Sequence, residues 1–221
     1  MDAKVMQMIT ALVIWTLGNE AQAQFFTPSF QDYRTYAQRS VGYVAATVQP
    51  DFTSRTVQQA LSPAAPAKYK YALSKTDFAF KGSPTQQKNC AAMVQKPSDQ
   101  RQMAAACLQL FNVAQGIPDF RKNNLAAALT LLIGLSLQVS KGTELTDAQI
   151  ATLQRGLNDM LVDAGVMKGK PADIQAMYET SVMTGALIAG LAQNGTDEGN
   201  TTMTDIAKGL AGIVLKGFKV E

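Results

Sequence analysis

Beyond Ser83, apolar residues return every three or four positions, the period of helices with one buried face. Residues 124–140 (NLAAALTLLIGLSLQVS) are apolar on nearly every face, which predicts a central buried helix. The run is too short and too interrupted to span a membrane. Gly134 within it predicts a close helix crossing, and Gly142 ends it. Thr146-Asp147-Ala148-Gln149 reads as a capping box opening a helix that carries Ile150, Leu153, Leu157, Met160, Leu161 and Ala164 on one face, with Gly165 as its C-cap. Pro171 begins the next helix, with Ile174, Met177, Tyr178 and Leu187 inward and Asn194-Gly195 as its end. A polar loop then precedes a last helix capped by Thr202 with Asp205. Its buried side is Ile206, Leu210, Ile213, Val214 and Phe218. Gly185, Ala189, Gly209 and Gly212 predict close approach of these last two helices. The fold class is all-α, a single compact helical bundle around the buried central helix.

The N-terminal third is patterned differently. Phe26, Phe30 and Tyr33 fall at i, i+4 and i+7, one face of a helix capped near Pro28-Ser29 and running to about Val48. A short helix over 54–61 follows, then the linker-like Ser62-Pro63-Ala64-Ala65-Pro66. Tyr69-Lys70-Tyr71 and Phe78-Ala79-Phe80-Lys81 alternate, consistent with a short β-ribbon or with an extended connector. Ser83-Pro84-Thr85-Gln86 reads as a helix N-terminus with its own capping box, and another helix starts at Ser98 after Pro97.

Residues 1–23 have the form of a cleaved Sec-type signal peptide. Lys4 supplies the positive charge, residues 5–17 the apolar stretch, and Ala21-Gln22-Ala23 the small-x-small cleavage pattern, leaving Gln24 first. Thirteen apolar residues are too few for a spanning helix, so no stable membrane span is expected after cleavage. The organisation is then a signal at 1–23, an aromatic helical arm and linker at 24–66, and a helical bundle at 67–221, with a periplasmic or secreted location. In an oxidising compartment Cys90 and Cys107 pair, because an antiparallel helix pair turning near Pro97 brings them within about one helical turn. The missing C-x-x-C spacing favours a structural bond over a redox-active one.

Composition removes several chemistries. The 221 residues include no histidine, which excludes Ser-His-Asp and Cys-His catalysis within the chain and the histidine zinc motifs. The net charge of +3 is small and the basic residues are scattered, so no nucleic-acid partner is expected. Carboxylates are the remaining general acids: Glu144, Asp173, Glu179, Asp197 and Glu198. Glu179, beside Tyr178 on an otherwise apolar face, is the one that could serve as an acid; a solvent-facing residue on the helix's polar stripe, or a structural hydrogen bond, is the plainer expectation. The loop 194–200 offers oxygens suited to calcium but not in EF-hand order, and a polar turn is expected there. No phosphate-binding loop is present, and no metal, cofactor or catalytic residue is assigned.

Three segments together, Asn124-Leu125-Ala126-Ala127-Ala128, Leu145-Thr146-Asp147-Ala148-Gln149 and Asp173-Ile174-Gln175-Ala176-Met177-Tyr178-Glu179, resemble a family of uncharacterised secreted bacterial α-helical proteins over roughly residues 70–220. The resemblance implies a helical fold and no particular activity. The expected function is an exported non-enzymatic domain binding a protein or cell-envelope component, with Phe25, Phe26, Phe30 and Tyr33 as partner-docking residues. A carboxylate-dependent hydrolase of cell-wall glycan or peptide, and a membrane-active helical protein, are the alternatives.

Overall fold

The computed structural model describes residues 29–62 and 68–220. Eight α-helices are present among them: α1 (Phe30–Thr47), α2 (Pro50–Leu61), α3 (Gln87–Ala91), α4 (Pro97–Gln115), α5 (Leu125–Lys141), α6 (Asp147–Asp163), α7 (Pro171–Asp197) and α8 (Thr201–Gly217). Every residue of α5 from Leu125 to Leu137 is buried. It packs against α6, α7 and α8, as its all-round apolar sequence requires. Outside this centre, α1 lies on α7 and α8, α2 on α6, and α4 on α7, while α3 and α4 form a hairpin. Tyr33, Val41, Val44 and Val57 from the first two helices join the same continuous core as α5.

Local signals set most of the boundaries. The Asn124 side chain accepts from the Ala127 N–H (2.8 Å) and so caps α5. Gly142 ends α5 in the left-handed region at φ 66°, where a side chain would be strained. Thr146 and Gln149 form the reciprocal capping box at α6, and Gly165 follows α6 with φ 70°. Ser29 and Asp32 make a second such box at α1. Prolines 50, 97 and 171 each occupy a first helical turn.

Four boundaries differ from the sequence reading, the first being α3, expected to open at Ser83-Pro84 but beginning at Gln87. The second helix starts at Pro50 instead of residue 54. α7 does not stop at Asn194-Gly195 but continues to Asp197, and Gly199 at φ 62° makes the turn. α8 is capped by Asn200, whose Oδ1 accepts from the Met203 N–H, and not by Thr202.

Gly195 serves packing: a Cβ there would strike the Thr204 side chain and come within 2.7 Å of its backbone nitrogen. Likewise Gly185 lies against α5 rather than α8, where a Cβ would be 3.3 Å from the Leu132 Cα. Gly212, expected at the same crossing, faces open space. Gly195→Ala is therefore expected to destabilise by ~1–2 kcal/mol, overpacking outweighing the better helix propensity of alanine. Gly212→Ala, with only the propensity gain, is expected to raise the thermal midpoint slightly. Melting curves of the two variants check the pair of signs.

Residues 68–81 form a connector interrupted by a 3-10 turn at Leu73–Thr76, not a β-ribbon. The only β-bridge among the described residues joins Asp77 and Asn124. Side chains of the bundle take the place of a partner strand. The Lys70 and Tyr71 N–H groups donate to the Asp159 carboxylate (2.7 and 3.1 Å). Asn158 Nδ2 donates to the Tyr71 and Ala72 carbonyls, and the Gln175 amide pairs in both directions with the backbone of Lys81. The alternation of Phe78 and Phe80 reports their packing edge-on against Tyr178, with centroids at 5.1 and 6.3 Å.

Candidate functional site

A groove of about 350 Å³ opens in the surface between α1, the α3 segment and α7. One wall is a single face of α1. Asp32, Thr35, Tyr36, Arg39, Ser40 and Tyr43 recur at three- and four-residue spacing, so the helix turns all six to one side. The other wall is the α3 segment, which contributes Gln86, Asn89, Met93 and Gln95, and Thr180 of α7 joins the lining.

Three of the polar lining residues are deeply buried: Tyr36 is 7% exposed, Ser40 8% and Thr180 6%. Tyr36 Oη and Thr184 Oγ1 share a hydrogen bond of 3.3 Å. Burial raises the pKa of Tyr36, opposed in part by its hydrogen bonds with Thr184 and Ser40. Tyr43 at the rim donates from Oη to the Asp173 carbonyl (3.3 Å), which fixes an otherwise exposed ring.

The α3 wall needs support, because a helix of five residues is far below the length stable on its own. Two devices supply it. Cys90 and Cys107 form a disulfide that ties α3 to α4, and both cysteines are fully buried. From the other side, Glu179 of α7 is 0% exposed and receives the start of α3. Its Oε2 accepts from the Thr85 and Gln86 N–H groups (2.7 and 2.9 Å) and from the Thr85 hydroxyl (3.3 Å). Its Oε1 accepts from Gln175 Nε2 (2.8 Å). The expected Ser83–Gln86 capping box is thus replaced by a carboxylate 94 residues away in sequence; Glu179 does not face solvent from a polar stripe but is buried and makes structural hydrogen bonds, the other of its two plainer expectations.

The pattern of a family of unknown function, DUF6683, runs through residues 3–221. The chain belongs to this family. No curated protein and no solved structure matches this DUF6683 chain. The family match includes α1, α3 and α7, so every wall of the groove lies within the DUF6683 region.

The other residues singled out from the sequence are dispersed. Phe25 and Phe26 lie outside the described residues, as does the signal pattern at 1–23, and Phe30 begins α1. Tyr33 is buried in the core of the DUF6683 chain itself, and desolvation pushes its pKa up to about 12. Glu144, Asp173, Asp197 and Glu198 are exposed: Glu144 between α5 and α6, Asp173 and Asp197 at opposite ends of α7, and Glu198 as its C-cap. Residues 194–197, expected in a loop, are the last turn of α7. Among the described residues no three acids or cysteines come together as a metal site.

The buried phenols give a pH prediction. Groups whose folded pKa is raised favour the native state fully below the unfolded value of ~10, and that contribution fades as pH rises towards the folded value. The DUF6683 chain is therefore expected to keep its alkaline stability to about pH 10 and to lose it between 10 and 12. Phenolate absorbance at 295 nm followed with circular dichroism checks this: Tyr33 and Tyr36 ionise only as the helix signal falls.

Proposed function

We propose that this chain is an exported, non-enzymatic binding domain that holds a protein or cell-envelope component in the groove between α1 and α3. The observation that carries the reading is the groove itself. Buried hydroxyls open into it, and one wall is braced by both a disulfide and a buried carboxylate. Binding sites are concave and largely pre-formed, with a few placed polar groups. Export is supported by the sequence of residues 1–23 and by the disulfide, since such bonds persist in oxidising compartments. No helix among the described residues is long and apolar enough to cross a membrane.

The alternatives receive less support. Both oxygens of Glu179 are occupied by donors that hold α3 in place. Asp32 Oδ2 accepts from the N–H and hydroxyl of Ser29. The apolar surface of α5, which suggested membrane activity, is enclosed by its neighbours.

A photo-crosslinking residue placed at Gln95, on the groove wall, is compared with one at Lys208 on α8, in the producing cells. A specific envelope product from position 95, absent from position 208, is the expected result. Protein retained full-length in the cytoplasm, or identical products from both positions, contradicts the reading.

A further inference from the structure

We infer that the groove takes a hydroxyl-rich saccharide of one or two rings; this rests on the binding reading above. Several groups in the groove have hydrogen-bonding capacity left. Gln95, the Thr180 hydroxyl and Arg39 have no hydrogen-bond or ion-pair partner among the described residues, although all three line the cavity. Asn89 Nδ2 donates to the Gln86 side-chain Oε1 and Asn89 keeps its own Oδ1 free to accept. Amides and hydroxyls both donate and accept, which matches a ligand whose hydroxyls do the same.

The α1 and α7 walls are helices whose backbone groups are consumed internally, whereas the opposite wall is the five-residue α3 with Gln86, Ala92, Met93 and Gln95 flanking it outside the helix. Recognition by the α1 and α7 walls therefore comes through side chains, and among the described residues no strand edge lines the groove along which an extended peptide could pair. An anionic ligand would call for converging cations, but Arg39 is the only cation in the lining and Asp32 lies on the same face of α1. An apolar ligand would find Ala92, Met93 and the rings of Tyr36 and Tyr43 interspersed with eight polar or charged lining residues. The rim supplies the remaining element of sugar recognition. The Tyr43 ring is 42% exposed and is oriented by its hydroxyl bond to Asp173, giving a fixed aromatic face against which the C–H side of a pyranose can lie. A cavity of about 350 Å³ is at the small end for a ligand site, consistent with one or two rings.

The test is calorimetric titration of the protein recovered from the extracytoplasmic fraction with chitobiose, cellobiose and maltose, and with a tetra-alanine peptide as the non-saccharide arm. Saturable binding of a disaccharide is expected. Gln95→Ala and Tyr43→Ala should each weaken it about three- to tenfold, the equivalent of one hydrogen bond or contact. Their thermal midpoints should stay near that of the parent, and Lys208→Ala should bind as the parent does. Absence of binding by all three disaccharides, or equal binding by the groove variants, overturns the inference. If the crosslink from position 95 then still captures a specific envelope product, the ligand class falls and the binding reading stands. If that crosslink is also lost, both fall.

Discussion

Glu179→Ala is expected to lower the stability of the fold by about 3 kcal/mol. A hydrogen bond to a charged group is worth ~1.5–3 kcal/mol, the part-buried Thr85 and Gln86 N–H groups would lose theirs together, and the fully buried side chain would leave a cavity. For a chain of this size that corresponds to a fall of roughly 6–12 °C in the thermal midpoint. Glu179→Gln keeps the shape but loses the charge and turns an NH₂ towards groups that are themselves donors, so it should fall between parent and alanine. The location of the damage separates this account from a general weakening. Hydrogen exchange at Thr85, Gln86 and the α3 amides should accelerate well before that of α5. A Glu179→Gln protein with unchanged melting and unchanged protection at Thr85 and Gln86 would show that the carboxylate is not what holds the α3 wall.

Breaking the disulfide is the second large effect. Cys90 and Cys107 are 17 residues apart, and closing a loop of that length stabilises by about 3 kcal/mol in the chain-entropy account. The paired variant Cys90→Ser/Cys107→Ser is expected to lose about that much, and further stability from placing hydroxyls where two fully buried sulfurs were. Because α3 is too short to persist alone, the loss should be concentrated on residues 84–96, with α5 to α8 remaining folded. Limited proteolysis checks this: the variant should be cut first in that stretch, whereas the oxidised parent should resist there. First cleavage within α7 or α8 would instead mean that the bond braces the whole bundle.

These two residue sets illustrate what the sequence carries and what it does not. The cysteine pairing and the central helix were legible because their signals are local. Compartment and helix-hairpin geometry bring Cys90 to Cys107, and the apolar run 125–137 can only be enclosed. The capping boxes at Thr146 and the glycines at 142 and 165 were legible for the same reason. Where two local signals competed, the reading failed by a few residues. Both Asn200 and Thr202 could cap α8, and both Gly195 and Gly199 could end α7. The outcome was decided by packing: Gly195 is needed against Thr204, leaving Gly199 to make the turn.

The connector at 68–81 was ambiguous because alternation reports a wet and a dry side without naming the partner, which here is a set of helix side chains. Glu179 was visible as an unusual carboxylate, but its partners lie on another element and leave no local trace. The groove was missed although half of it has a periodic signature. Asp32, Thr35, Tyr36, Arg39, Ser40 and Tyr43 form a polar and aromatic face on a helix whose opposite side enters the core. Reading α1 through its aromatic residues alone hid that face.

The most direct test of export and of a braced groove is the intact mass of the protein from the extracytoplasmic fraction, with thiol alkylation before and after reduction. The account predicts a chain beginning at Gln24 with neither cysteine alkylated until reductant is added. A full-length chain found in the cytoplasm with two freely alkylated thiols would contradict it.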